Sequence, residues 1–327
     1  MNTPLPDDYV QYAVSQFFVD PQISKVTFFK MGAENTTALL EGSFGQAVLR
    51  VWGELHSRMG ERQESDILDE LDFMEACRAQ GLPIPAVHTS LAGHTFETLP
   101  DGRTFGIMEY VKGEEPANFT QPMITELARA VATMNVAGQT YTYPAPRSFK
   151  GTIVDLAQER IEKYRKNGGS DEFVEYLAGR LEQSLSSIDL TAVPFGPIHG
   201  DVMYQNIKYV GEQLSGIFDF DDCRESYFIE DITKVLFFAI EDPEHCVLGR
   251  DIVSAKLFVE AYESIRPLSD AEKAALPVLS TARMVYELLK YHLHGAKHPQ
   301  VGEILAAKKA AYDTFRPLFE TDYVFSS

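Results

Sequence analysis

HGDVMYQN (residues 199–206) is followed closely by IFDFDDC (217–223). The first stretch sets Asp201 and Asn206 five residues apart, and the second brings Asp219 eighteen residues after Asp201. Between them NIKYVG and LSGIFDF read as two strands turning at Gly211, so the three side chains fall at the ends of one hairpin. Asp201 precedes a loop and is placed to accept a proton. Asn206 opens one strand and Asp219 ends the next, offering an amide and a carboxylate oxygen, the donors that hard cations such as Mg²⁺ prefer. Either stretch alone also reads as a turn with ordinary polar caps. Taken together they suggest a centre that handles a metal and a proton during phosphoryl transfer, a reaction that asks for positioned phosphates, a cation and an oriented hydroxyl.

What precedes the hairpin gives it a context. VTFFKMG, TTALLEG and QAVLRVW are β-branched and aromatic runs separated by glycine-containing turns, the pattern of consecutive antiparallel strands. Residues 61–80 lack Pro and Gly and carry Ile67, Leu68, Leu71 and Met74 at helical spacing, stopping at Gly81. HTFETLPDGRTFGIMEY then reads as a hairpin turning at Pro100-Asp101-Gly102. After Val111 the polar connector KGEEP leads into mainly helical sequence, with periodic stretches at 123–138, 154–167, 171–187, 251–265 and 276–295. The expected organisation is α+β, a β-rich lobe over 1–111 and a larger helical lobe over 112–327.

Bulk properties narrow the partners. The 327 residues carry a net charge of −19, which argues against a nucleic-acid partner gripped by Lys and Arg and is compatible with a cationic small substrate. Three widely spaced cysteines offer no disulfide framework or CxxC pair, which fits a reducing cytoplasm. MNTPLPDD does not read as a secretory signal, and the longest apolar run, 235–240, is too short to cross a bilayer, so no membrane partner is expected. HExxH, Cys/His zinc spacings, G-x-S-x-G and the Walker motif are absent. His292 and His294, with His298 nearby, do not read as a metal site, because residues two apart on a helix do not face each other.

HGDVMYQN followed by IFDFDD resembles the catalytic and metal motifs of the aminoglycoside phosphotransferase and choline kinase family, whose fold is protein-kinase-like. The resemblance extends over roughly residues 25–295 and is sharp at these motifs. It implies ATP and Mg²⁺ as cofactors, Asp201 as catalytic base, and Asn206 and Asp219 as metal ligands, with His199 and Gly200 shaping the loop. In the small lobe it implies a phosphate-covering turn at Gly32, Glu34, Asn35 and Thr36. Arg50 stands where many kinases carry a phosphate-binding Lys, and it can fork onto two oxygens. Its carboxylate partner on the following helix is expected at Glu70, with Asp66 and Glu64 as competitors. FGIMEYVKGEE resembles the hinge, with Met108 preceding the Glu109 and Val111 backbone groups that would bind adenine. Asp221 and Asp222 are candidates for a second metal or for an amine on the substrate, and Asp231 for support of the catalytic loop. Tyr286, Glu287 and Tyr291 lie on a late helix of the type that walls the acceptor pocket in relatives, and also read as core.

The expected activity is ATP-dependent phosphorylation of a small-molecule hydroxyl, on an amino alcohol, amino sugar or homoserine-like acceptor. A protein Ser/Thr kinase of the same fold and a catalytically silent ATP-binding module are the alternatives.

Overall fold

The computed structural model describes residues 4–29, 35–56, 60–141, 151–241, 252–293, 306–310, 312–313 and 316. These residues divide into two compact units. The first runs through Lys112 and takes in Gly216–Phe218, and the second begins at Gly113 and holds the rest.

The first unit opens with a helix, α1 (Asp7–Phe17), that the sequence reading did not anticipate. Pro6 precedes it, Asp7 and Asp8 sit in its first turn, and Val10, Ala13, Val14 and Phe17 form one buried stripe. The apolar positions do recur at helical spacing, but over only eleven residues behind a proline-broken acidic start, and the stripe packs on the sheet. That sheet has five antiparallel strands in the order β1-β2-β3-β7-β6. They are β1 (Ile23–Phe28), β2 (Thr36–Gly42), β3 (Gly45–Val51), β6 (Glu97–Thr98) and β7 (Thr104–Glu109), with a short β4–β5 pair (Leu55–His56, Gly60–Glu61) outside it. Period-two alternation sends Leu40, Ala47, Leu49, Val51, Phe105 and Ile107 to the face that α1 covers. Pro100-Asp101-Gly102 turns β6 into β7, with Gly102 at φ 92° and the Asp101 carboxylate bonded to the Arg103 backbone and guanidinium. The helix α2 (Glu64–Ala79) starts three residues later than the 61–80 expectation, because the Asp66 carboxylate caps it by accepting from the Gln63 N–H at 2.8 Å.

The second unit is mainly helical: α3 (Gln121–Thr140), α4 (Ile153–Lys166), α5 (Glu172–Leu185), α6 (Ile229–Glu241), α7 (Ile252–Glu263) and α8 (Asp270–Leu293). Thr120, Thr152 and Asp171 cap α3, α4 and α5 through their side-chain oxygens. The α3 helix packs on α7, and α4, α5 and α6 pack on α8. The last of these begins six residues before the expected start at 276. Ser269 and Glu272 form its cap, and Pro277 lies in its interior. Two short antiparallel pairs carry the loops of interest. The first is β8 (Phe195–Ile198) with β11 (Arg224–Tyr227), and the second is β9 (Ile207–Val210) with β10 (Gln213–Ile217). The hairpin was legible in the sequence, whereas the β8–β11 pair was not. Among the described residues no helix is long and apolar enough to cross a membrane.

Candidate active site

HGDVMYQN emerges from the end of β8. Ile198 pairs with Arg224 across the β8–β11 ladder, which brings the start of HGDVMYQN beside the end of IFDFDDC. Gly200 sits between them at φ 79°, in the left-handed region that glycine adopts without strain. A β-carbon there would lie 2.4 Å from the Arg224 guanidinium and 2.5 Å from the Asp222 carbonyl oxygen, so this close approach requires glycine. The His199 ring is buried and lies 4.3 Å, centroid to centroid, from Phe220.

Asp201 is fixed from several directions. Its N–H donates to His199 Nδ1 at 3.2 Å, which assigns the neutral imidazole proton to Nε2. The Asn206 amide donates to the Asp201 carbonyl at 3.0 Å and to Oδ2 at 3.2 Å. Lys234 Nζ lies 2.7 Å from Oδ1. Sequence reasoning missed this lysine. The one signal was a pair of charges, Glu230 and Lys234, inside the apolar run FIEDITKVLFF, where a solvated face would be polar throughout.

Asn206 occupies a 3-10 turn (Tyr204–Asn206) ahead of β9 and is buried. With its NH₂ on Asp201, its carbonyl oxygen is the end suited to a cation. Asp219 lies two residues beyond β10 at φ 65°, ψ 64°, a left-handed conformation shared among described non-glycine residues only by Asp20. Holding such a residue costs on the order of 1 kcal/mol and turns the chain sharply into the Phe220–Asp222 turn. Among the described residues no group of three or more His, Cys, Asp or Glu side chains could cage a metal. The Asn206 amide oxygen and the Asp219 carboxylate are oxygen donors of the kind a hard divalent cation takes when waters and phosphate oxygens fill most of its shell. Asp221 and Asp222 are half-buried in that same turn, and the Asp222 carbonyl accepts from Arg224.

Asp231 anchors the loop. It is fully buried and accepts from the Gly200 N–H at 2.8 Å and the His199 N–H at 3.3 Å. The Asn135 amide donates to it at 2.9 Å, and the Tyr262 hydroxyl donates to Asn135 Oδ1 at 2.7 Å. Burial pushes the Tyr262 phenol well above its ordinary range, so it stays a donor.

In the first unit, Arg50 Nη1 lies 2.9 Å from Glu70 Oε1, with both side chains buried. Of the three acidic candidates, Glu64 is exposed and Asp66 caps its own helix. The Trp52 indole N–H, unforeseen from sequence, donates to Glu70 Oε2 at 3.1 Å. Asn35 accepts from the Gly53 N–H at 3.1 Å, and Thr36 opens β2 opposite Val51. Gly32 and Glu34 lie outside the described residues, as do His294 and His298. Met108 is buried in β7. The Glu109 N–H donates to the Ala86 carbonyl at 2.8 Å. Val111 presses on Gly216, where a β-carbon would come within 2.1 Å of it. We expect Arg50→Met to cost about 3–5 kcal/mol, because it strands the Glu70 carboxylate in the interior. Adding Glu70→Leu should recover much of the loss in thermal midpoint, and an unchanged midpoint for Arg50→Met alone would show that the pair is not coupled.

A model of the phosphotransferase enzyme family matches residues 25–268. The chain belongs to that family. The match takes in α2 and both loops around Asp201 and Asp219, and it makes the protein a kinase-type phosphotransferase. A homoserine kinase of Afipia carboxidovorans is 25% identical over 262 residues, covering 79% of this chain and 76% of that protein. Among solved structures, an amicoumacin kinase in complex with AMP-PNP, Ca²⁺ and Ami superposes with a TM-score of 0.74 at 19% identity, covering 98% of each chain. A microcompartment-associated aminopropanol kinase gives 0.69 at 21% identity, covering 94% of this chain and 95% of that one. The fold is therefore the α+β, protein-kinase-like fold anticipated from the motifs.

Proposed function

We propose that this protein transfers the γ-phosphoryl group of Mg-ATP to the hydroxyl of a small amino alcohol, with homoserine-like molecules as the first candidates. The observation that carries this reading is Asp201, held by Lys234, Asn206 and the His199 ring on a loop that Gly200 and Asp231 lock in place. In this reading Asp201 accepts the proton of the acceptor hydroxyl as its oxygen bonds to phosphorus and the bond from phosphorus to the bridging oxygen of ADP breaks. Asn206 and Asp219 would hold Mg²⁺, which when bound neutralises charge on the phosphates. Arg50, oriented by Glu70, steadies the nucleotide phosphates, and the stretch of sequence that holds Gly32, Asn35 and Thr36 would cover them. The Glu109 carbonyl and Val111 backbone, following Met108, receive adenine. Residues 1–111 then form the nucleotide lobe and 112–327 the catalytic and acceptor lobe.

An amine on the acceptor is favoured by Asp221 and Asp222 beside Asp219 and by the net charge of −19. The names of the relatives point the same way, since homoserine and aminopropanol both join an amine to an alcohol. A reducing, ATP-supplied compartment such as the cytoplasm suits these cofactors, and Cys77 and Cys223 are buried. An ADP-release screen over homoserine, aminopropanol, choline, methylthioribose and aminoglycosides tests the reading. Turnover with an amino alcohol or homoserine is expected. Turnover only with a protein acceptor, or Mg-ATP binding with no turnover on any alcohol, would overturn it.

A further inference from the structure

Lys234 belongs to a buried row of alternating charge. Glu230 and Lys234 are four residues apart on α6, and Arg283 and Glu287 are four apart on α8, so each pair shares a face of its helix. The two helices pack together, and the four charges interleave. Arg283 Nη2 lies 3.9 Å from Glu230 Oε2, Arg283 Nη1 lies 3.6 Å from Glu287 Oε1, and Lys234 Nζ lies 3.8 Å from the same Glu287 oxygen. At one end the Arg224 guanidinium of β11 pairs with Glu230, which also accepts from the Ser226 hydroxyl and the Ile153 N–H. At the other end Lys234 Nζ meets Asp201 Oδ1 at 2.7 Å. Lys234 is 4% exposed and Asp201 is 17% exposed, so Asp201 is where the row opens to solvent.

Three cations and three carboxylates make up the row. A buried ammonium this close to two carboxylates is held by them, which argues against Lys234 serving as the receptor for an anionic substrate group. Arg160 buttresses the supporting helix, stacking 3.6 Å from the Tyr286 ring centroid and donating to the Tyr286 carbonyl at 2.8 Å.

We propose that Lys234 is a positioning residue for the reaction: it fixes the carboxylate of Asp201 through Oδ1, so that the other edge of the carboxylate is presented to the acceptor hydroxyl, and the α6–α8 charge row fixes Lys234 in turn. The inference rests on the reading of Asp201 as the group that takes the hydroxyl proton. Rigid presentation matters because a misplacement of about 1 Å at the reacting group can cost on the order of 10²-fold in rate.

The test is a mutant cycle on the full chain, using whichever alcohol the acceptor screen identifies. Lys234→Met is expected to lower kcat roughly 10–100-fold while the KM for ATP stays within about threefold. Lys234→Arg, which keeps the cation, should recover most of the loss. In an Asp201→Asn background the same Lys234→Met change should add less than about threefold, because two residues acting as a unit are not additive. Lys234→Met combined with Glu287→Gln removes one charge of each sign and supplies a folded variant if the single change does not fold. Losses from Lys234→Met and Asp201→Asn that multiply would overturn the inference, since a purely structural lysine acts independently of Asp201. Full kcat in Lys234→Met would overturn it too, with the reading of Asp201 intact. Full activity in Asp201→Asn would remove the reading of Asp201 itself and the inference with it.

Discussion

Asp201→Asn should lower kcat by roughly 10²–10⁴-fold, the range expected when a general base is removed. The affinity for Mg-ATP should change by no more than about threefold, because in the proposed mechanism Asp201 acts on the acceptor hydroxyl and not on the nucleotide. The replacement is nearly isosteric and keeps one acceptor oxygen, which can serve Lys234, while its NH₂ then faces the Asn206 amide; the two partners lie 2.7 and 3.2 Å from the native carboxylate. It removes the negative charge, and Lys234 then has Glu287, at 3.8 Å, as its nearest carboxylate in the row. Steady-state ADP release with a saturating acceptor, set beside titration calorimetry with Mg-ATP, separates chemistry from binding. Wild-type turnover in the variant would assign the proton to another group.

Asp231→Ala should cost on the order of 3–5 kcal/mol of stability and lower the thermal midpoint by roughly 10 °C. The carboxylate is fully buried and accepts from His199, Gly200 and Asn135, so its removal strands three donors where water does not reach. Leaving one buried donor unmade costs about 1–3 kcal/mol, although the three losses are not strictly additive. Turnover should fall as well, because the two amides that Asp231 holds are those immediately before Asp201. Asp231→Asn retains one acceptor oxygen but turns an amide against the donors, so an intermediate midpoint is expected. Differential scanning fluorimetry of the three proteins checks the order. An Asp231→Ala midpoint equal to wild type would show that the loop is held by other contacts.

The sequence made some parts of this site readable and hid others, for physical reasons. Asp201, Asn206 and Asp219, the side chains proposed to handle the metal and the proton, stand out in the sequence because their residue types fall at set spacing around one hairpin. The five-stranded sheet was legible in outline from its β-branched runs. By contrast, α1 was missed because its apolar stripe is short and follows a proline-broken acidic start. Lys234, Arg224 and Arg283 were missed because a charge in sequence reads as surface by default. Their burial depends on partners that arrive from β11, α6 and α8, separated along the chain and joined only by packing. Glu70 lay among three acidic candidates until the position of the Arg50 guanidinium and the capping role of Asp66 distinguished them.

The most direct test of the central claim is to follow the phosphoryl group itself. The protein incubated with Mg-ATP and an amino alcohol or homoserine, observed by ³¹P NMR, should convert the γ-phosphate signal into a phosphomonoester on the acceptor oxygen, in step with ADP. Asp201→Asn under the same conditions should leave the ATP signals nearly unchanged. Phosphate appearing only as the free inorganic ion, or only on the protein, would contradict the account.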